Sequence, residues 1–208
     1  MTETSEKDTV MALIELVKRK APELLDLITA ETDDQFENAF AALLEKVVSD
    51  LEINKKLFSE LREDALTAIL AIGLRTFGLS VTQQAHSNGH VDITITADHC
   101  IPARKKLGEA KIWDGPKYHI EGLKQLLERY TTGREGRGMV IAYFRVKDIA
   151  GLMAKLRERM NKERPYGQTT DAVDYVLKWS FVSSHEHSCG ETLEVGHIGC
   201  NLCAETGN

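Results

Sequence analysis

The sequence predicts an α/β fold in which helices flank a mixed central sheet, with an N-terminal helical unit ahead of it. Apolar residues recur at helical spacing throughout residues 8–62. From residue 81 onwards, strand-like segments are interleaved with helical ones, which is typical of a sheet covered by helices. We therefore expect a helical unit at residues 1–58 and an α/β domain at residues 59–208.

Local signals place the boundaries of the N-terminal helices. Pro22 predicts the start of a second helix, because proline is tolerated in a first turn. Thr32 or Asp33 can cap a third helix, and Ser59 can cap a fourth that continues to Thr76. Nothing in the helical unit indicates chemistry. Its apolar face is expected to pack on the main domain, to form a homodimer contact or to dock a partner protein.

Six strands are predicted from the spacing of apolar residues. The segment 139–144 is wholly apolar, which indicates a central strand buried on both faces. Asn88-Gly89 is a strong hairpin signal between the first two strands. Helices are expected at 118–130 and 146–163. The strands are expected at 81–86, 91–97, 107–113, 139–144, 175–183 and 193–202.

Composition indicates a globular protein outside the membrane. Hydrophobic residues make up 42% of the chain, yet no apolar run approaches the roughly 18–20 residues that span a bilayer. The first residues are acidic and polar, unlike a signal peptide. Four cysteines are too few for a disulfide scaffold of this length. A cytoplasmic location is the simplest interpretation.

Charge is distributed unevenly along the chain. Residues 1–64 hold 16 Asp and Glu against 8 Lys and Arg, whereas the remainder holds 16 acidic and 18 basic residues. A nucleic-acid surface is therefore expected in the later part. A solvated face of mixed charge is the alternative. The basic residues that cluster there are Arg104, Lys105, Lys106, Lys117, Arg129, Arg134 and Arg137.

Three polar side chains stand out in the predicted second and third strands. Because side chains alternate along a strand, Asp92 faces away from its apolar neighbours Val91, Ile93 and Ile95. Glu109 and Lys111 are two residues apart and share one side of the next strand. If these strands pair, two carboxylates and an ammonium converge.

This set of groups matches what phosphodiester cleavage requires. Mg²⁺ prefers oxygen ligands and is usually held by one or two carboxylates. The bound metal lowers the pKa of a water and polarises a phosphoryl oxygen. A neighbouring lysine orients or deprotonates the water and offsets the developing charge. A charged strand edge with an ordinary cross-strand Glu-Lys pair is the alternative interpretation.

The order of these elements resembles the PD-(D/E)XK nuclease superfamily, which has the restriction-endonuclease-like fold. The resemblance covers about residues 60–145. It includes the helix with Glu63, the hairpin, the strand GHVDITIT, the strand containing GEAK and the helix with Gln125. The proline of the superfamily motif is absent, since His90 and Val91 precede Asp92.

The resemblance implies a role for each matching residue. Asp92 and Glu109 would hold Mg²⁺ or Mn²⁺, with the carbonyl of Ala110 contributing, and Lys111 would be the motif lysine. Glu63 matches an additional acidic residue on the first helix, for which Glu60 and Asp64 are alternatives. Gln125, with Tyr130, resembles the Gln-and-Tyr motif on the helix after the active strand.

The resemblance also implies a function. It predicts a metal-dependent endonuclease acting on DNA, with RNA as the alternative substrate. The chain contains no recognisable base-reading module, so it is expected to serve as the effector of a bacterial defence or repair system. A partner protein or oligomerisation through the acidic N-terminal helices would activate it. A scaffold or nucleic-acid-binding subunit that keeps the fold without activity is the second hypothesis.

The C-terminal region contains a different candidate site. Its histidines and cysteines include a C-x-x-C pair and are compatible with either a zinc site or a plain hairpin. His119 is expected to be an ordinary polar residue at a helix start, to touch a phosphate or to act as a secondary base. The C-terminal candidates are His185, His187, Cys189, His197, Cys200 and Cys203.

Overall fold

A computed structural model describes residues 3–86 and 90–204, with side chains described at 9–83 and 91–204. The expected Asn88-Gly89 turn lies outside the described residues. Within them, no helix is long and apolar enough to cross a membrane.

Seven α-helices are described. Five precede the sheet, one follows its third strand and continues into a single π-helical turn at Leu126–Tyr130, and one follows its fourth strand. A short 3₁₀ turn occupies Pro165–Gly167. The helices are α1 (Glu3–Lys20), α2 (Pro22–Thr29), α3 (Asp33–Ile53), α4 (Lys55–Phe58), α5 (Glu63–Leu74), α6 (Pro116–Gln125) and α7 (Ile149–Glu163).

The described strands form one mixed sheet in the order β1-β2-β3-β4-β7-β6-β5. The pairs β3–β4 and β4–β7 are parallel, and the other pairs are antiparallel. This arrangement confirms the α/β class with helices flanking a mixed sheet. The strands are β1 (Ser80–His86), β2 (His90–Ala97), β3 (Arg104–Ile112), β4 (Gly138–Phe144), β5 (Val173–Asp174), β6 (Ser180–Glu186) and β7 (Thr192–Asn201).

Strand β4 is central and buried on both faces, as its wholly apolar sequence predicts. Ile141 and Tyr143 pack in one hydrophobic cluster with residues of α2, α3 and α5. Val140 and Phe144 pack in a second cluster with residues of α6 and α7. Val91 belongs to this second cluster, whereas Ile93 and Ile95 belong to the first.

Several helix starts follow from local chemistry. Pro22 is the first residue of α2, as predicted. Thr32 caps α3 in a capping box, in which its hydroxyl accepts from Gln35 N and the Gln35 side chain accepts from Thr32 N. Ser59 does not cap the fourth predicted helix, because α5 begins only at Glu63. The later start puts Glu63 in the first turn.

Two strand predictions need correction. β3 begins at Arg104, earlier than expected, because residues 104–107 pair with β2. The predicted strand at 175–183 begins only at Ser180. Trp179 has a φ of 53°, a left-handed conformation that interrupts an extended strand despite the alternating apolar pattern before it.

Candidate active site

Asp92 reaches β3 where the ladder between β2 and β3 ends. The last paired residues are Ile93 and Gly108. Beyond this pair, the carboxylate of Asp92 accepts a hydrogen bond from Ala110 N at 2.9 Å in place of a strand partner. The side chain of Asp92 thereby lies beside the segment of β3 that carries Glu109 and Lys111.

Lys111 lies among three carboxylates. Its ammonium donates to Glu109 Oε1 at 2.6 Å. The same nitrogen is 3.8 Å from Glu63 Oε1 and 3.9 Å from Asp92 Oδ2. Four of the residues selected from the sequence therefore converge within one ionic cluster.

Glu63 joins this cluster from the other side of the sheet. It is the first residue of α5, a position that favours an acidic side chain because the helix dipole is positive there. Its Oε2 accepts from Ile112 N at 2.8 Å, which ties the start of α5 to the end of β3. Of the three acidic candidates for this role, Glu63 is the one that contacts Lys111.

The environment of Glu109 disfavours its charged form. Burial is the largest cause, the neighbouring Asp92 carboxylate adds to it, and the pKa of Glu109 rises to about 7 even though Lys111 opposes the change. Burial alone would lower the pKa of Lys111, but its contacts with Glu109, Asp92 and Glu63 outweigh burial and raise it. Glu109 Oε2 is buried and has no hydrogen-bond donor among the described residues.

A small polar cavity opens beside Glu63 and Asp92. Its volume is about 140 Å³, and Asp64, Thr67 and Gln83 complete its lining. One water occupies about 30 Å³ in the liquid, so the cavity has room for several waters or for a hydrated ion. Its carboxylate walls favour a cation over an anion.

The carboxylate oxygens of Glu63, Asp92 and Glu109 suit a hard cation, although they are not arranged as a complete metal site. Carboxylate oxygens are the ligands that Mg²⁺ and Mn²⁺ prefer, and Glu109 Oε2 is an acceptor without a donor. Among the described residues, no three His, Cys, Asp or Glu side chains are grouped so that they could hold a metal ion. The position between the carboxylates is instead taken by the Lys111 ammonium.

Helix α6 passes close over Glu109 and Lys111 of β3. A Cβ added to Gly122 would lie 3.4 Å from the Cγ atoms of both Glu109 and Lys111. Gln125 is the last residue of α6 and is partly exposed. No hydrogen bond joins it to the cluster within the described side chains, so its role stays a prediction.

The π-helical turn brings Tyr130 into the same neighbourhood. Thr131 N donates to Leu126 O at 3.2 Å, the i→i+5 bond of a π-helix. This spacing places Gln125 and Tyr130, five residues apart, on one side of the helix. Burial raises the pKa of Tyr130, and the carboxylates of Glu109 and Asp92 raise it further. The family resemblance pairs Tyr130 with Gln125, although four intervening residues do not suit one face of a regular α-helix.

The basic cluster expected to bind nucleic acid is not one free surface. Lys106 is buried and contacts both oxygens of Glu37 at 2.6 Å. Arg104 donates to Asp33, and Arg137 donates to Glu194. Internal ion pairs therefore neutralise these three cations. The members with exposed side chains are Lys117, Arg129 and Arg134.

His119 is a buried residue near the start of α6. It is only 1% exposed, and its Nε2 lies 2.8 Å from His197 Nδ1. The chain of contacts continues from His197 Nε2 to Ser183 Oγ at 2.8 Å, and from there to His185 Nε2 at 2.7 Å. The last contact of the chain is between His185 Nδ1 and the carbonyl oxygen of Tyr166, which are 3.1 Å apart.

This carbonyl fixes the direction of every hydrogen bond in the chain. A carbonyl only accepts, so His185 donates from Nδ1 and its Nε2 accepts from Ser183. Ser183 then accepts from His197, and His197 accepts from His119 Nε2. The remaining acceptor, His119 Nδ1, is buried and has no partner among the described residues.

The same contacts weaken the zinc hypothesis. His185 and His197 are occupied by Ser183, Cys200 is buried in the first hydrophobic cluster, and Cys189 lies in the exposed turn between β6 and β7. These C-terminal candidates form no group of three or more metal-binding side chains within the described residues. Within the buried chain, only the contact between Ser183 and His185 could have been anticipated from the sequence, because these residues are two apart and so share one face of a strand.

Comparison of the chain with protein-family models, with curated proteins and with solved structures gives no match.

Proposed function

We propose that this protein is a metal-dependent nuclease that hydrolyses phosphodiester bonds. The observation that carries the proposal is the convergence of Glu63, Asp92 and Glu109 on Lys111, beside a polar cavity of about 140 Å³. A site with strongly perturbed proton affinity in a cleft is typical of catalysis. The pKa of Glu109 is elevated, and its neighbours Glu63 and Asp92 line the cavity.

The order of elements supports a restriction-endonuclease-like core. Helix α5 precedes the antiparallel strands β1, β2 and β3, and α6 then connects β3 to the parallel strand β4. Glu63 lies on α5, Asp92 on β2 and Glu109 on β3. This placement is the one that the resemblance to the PD-(D/E)XK superfamily implies.

The residues take the following roles in this proposal. Asp92, Glu109 and the Ala110 carbonyl would hold Mg²⁺ or Mn²⁺, which when bound would acidify a water and polarise a phosphoryl oxygen. Lys111 would orient that water and offset negative charge that develops on the phosphate. Glu63 holds the Lys111 ammonium near the carboxylates and joins α5 to β3.

Gln125 is assigned to substrate positioning rather than to the metal. It ends the helix that covers Glu109 and Lys111, and it is partly exposed. DNA is the proposed substrate, with RNA as the alternative, on the basis of the family resemblance. The protein would act in the cytoplasm as the effector of a bacterial defence system. A partner protein or oligomerisation through the N-terminal helices would control it.

Cleavage of supercoiled plasmid DNA tests the proposal. We expect nicking that requires Mg²⁺ or Mn²⁺ and falls at least about a hundredfold in Lys111→Ala, since loss of one charge-stabilising group costs about 10²–10³ in rate. Lys155→Ala changes an exposed lysine on α7 and serves as the matched control. Equal cleavage by wild type and Lys111→Ala would refute the site assignment.

A non-catalytic scaffold is the second candidate, and one observation favours it. The Lys111 ammonium already lies within 4 Å of all three carboxylates, so these charges are balanced without any ligand. The scaffold would bind nucleic acid without cutting it. Binding of a labelled duplex by wild type, together with no cleavage of DNA or RNA with either metal, would establish this alternative.

A further inference from the structure

Gln83 of β1 lines the polar cavity beside the carboxylates of the candidate site. It shares the wall of this cavity of about 140 Å³ with Glu63 and Asp92. The side chain is half-buried, and its amide takes part in no hydrogen bond among the described residues. A polar group that faces a cavity without a protein partner is available to a ligand.

The other described side chains of the cavity wall do not offer a free hydrogen-bond donor. The carboxylates of Glu63, Asp64 and Asp92 only accept hydrogen bonds when they are ionised. The hydroxyl of Thr67 donates to the carbonyl oxygen of Glu63 at 2.7 Å, so its proton is engaged within α5. The amide of Gln83 carries two N–H groups. Of the described lining side chains, it is therefore the one that can donate into the cavity.

An uncharged donor suits this position because a cation would not stay available. The ammonium of Lys111 donates to Glu109 and lies within 4 Å of Glu63 and Asp92. A lysine or arginine in place of Gln83 would face the same carboxylates and would pair with them in the same way. The glutamine amide forms no ion pair, so its N–H groups remain free for an incoming group that only accepts.

The backbone holds Gln83 in place from two sides. In the antiparallel ladder between β1 and β2, it pairs with Ile93, the residue that follows Asp92. Helix α5 packs against β1, and Arg75 Nε at the end of this helix donates to the carbonyl oxygen of Val81 at 3.3 Å. A group on a strand that is fixed in this way is positioned more precisely than a group on a loop.

We propose that the amide of Gln83 donates a hydrogen bond to a non-bridging oxygen of a DNA phosphate that lies in the cavity beside Asp92. The inference rests on the proposed function for its ligand and adds a residue that contacts the substrate. Oxygens of a phosphodiester accept hydrogen bonds and cannot donate them, so the phosphate needs a donor that the carboxylates do not supply. The hydrogen bond strengthens as negative charge builds on the phosphoryl oxygens during the reaction.

Three variants test this role in binding and in cleavage. Gln83→Leu removes the amide at a similar size, and Gln83→Glu keeps the shape of the side chain but has no N–H group. Thr82→Ala changes the exposed neighbouring residue of β1 and is the matched control. Because contacts to phosphate carry no base information, a labelled DNA duplex of arbitrary sequence serves for binding and a supercoiled plasmid for cleavage.

Loss of the donor should weaken both binding and cleavage. Gln83→Leu should lower kcat/KM for nicking in Mg²⁺ by about 10–100-fold, the effect of one hydrogen bond to a charged group. It should raise the Kd of the duplex in Ca²⁺ by about tenfold. Gln83→Glu should lose at least as much, whereas a purely structural role predicts that this variant of unchanged shape keeps more activity than Gln83→Leu. Thr82→Ala should match the wild type.

The two assays separate failure of this inference from failure of the proposed function. Urea unfolding identifies the folded variants, and Gln83→Glu decides the outcome if Gln83→Leu does not fold. Wild-type binding and cleavage that are unchanged in Gln83→Glu overturn the role of Gln83 alone. A wild type that binds without cleaving refutes the nuclease, and the phosphate contact is then judged by the change in Kd. A wild type that neither binds nor cleaves the DNA overturns both.

Discussion

Replacing Glu109 by glutamine should make the protein increasingly more stable than the wild type as the pH rises from 5 to 8. Glutamine keeps the shape of the side chain and an oxygen that accepts from the Lys111 ammonium, but it cannot ionise. The wild-type carboxyl is 3% exposed and lies beside Asp92, which makes its charged form costly. The substitution removes that cost.

The magnitude follows from the pKa of Glu109. An increase from 4.5 to about 7 corresponds to about 3 kcal/mol, at about 1.4 kcal/mol for each tenfold change in proton affinity. Because the folded pKa is the higher one, the folded state binds the proton more tightly. Protonated Glu109 therefore contributes to the free energy of unfolding below pH 4.5, and this contribution disappears as the pH rises through about 7. The stability difference between variant and wild type should therefore grow by about 2–3 kcal/mol from pH 5 to pH 8.

Urea unfolding of both proteins at pH 5, 6, 7 and 8 measures this difference. The comparison cancels the titrating groups that do not interact with Glu109. The Glu109–Lys111 ion pair forms as Glu109 ionises, and its effect is already contained in the pKa of about 7. The informative quantity is therefore the change with pH of the difference in unfolding free energy between the variant and the wild type. A stability difference that stays constant within about 0.5 kcal/mol across the four pH values would contradict the assigned environment of Glu109.

Three other changes test separate parts of the structure. Glu37→Gln should destabilise the fold by about 3–5 kcal/mol in urea unfolding, since it leaves the buried Lys106 ammonium without its counter-charge. His119→Leu should make stability less dependent on pH between about 6.5 and 4, because burial lowers the pKa of His119 to about 3 and stability is lost on acidification below 6.5. The same pH dependence of the unfolding free energy in His119→Leu and the wild type between pH 6.5 and 4 would contradict this expectation. Thr32→Ala should cost about 1 kcal/mol through loss of the α3 cap, whereas Thr29→Ala, at the last residue of α2, should cost less.

The sequence was most informative where a local rule decides the structure. The apolar run of β4, the start of α2 at Pro22 and the cap of α3 at Thr32 were predicted because each depends on neighbouring residues alone. The convergence of Asp92, Glu109 and Lys111 followed from strand alternation and one pairing between adjacent strands. These are short-range inferences.

Predictions were wrong where the backbone departs from its regular period. The apolar alternation at 175–179 suggested a strand, but the left-handed Trp179 separates it from β6. Contacts between distant segments were also missed. His119 and His197 are 78 residues apart, and only the fold places them in contact. The burial of Lys106 likewise depends on Glu37 of α3, which no local pattern indicates.

The π-helical turn has a consequence for how the length of this segment can vary. Each residue of an α-helix rotates the chain by about 100°. Deleting one residue between Leu126 and Thr131 would replace the i→i+5 hydrogen bond by the i→i+4 bond of a regular α-helix. Gln125 and the tyrosine would then be four residues apart, and residues at this spacing lie on one face of an α-helix. The turn therefore accommodates one residue more than a regular α-helix without rotating Tyr130 away from the side that faces Glu109.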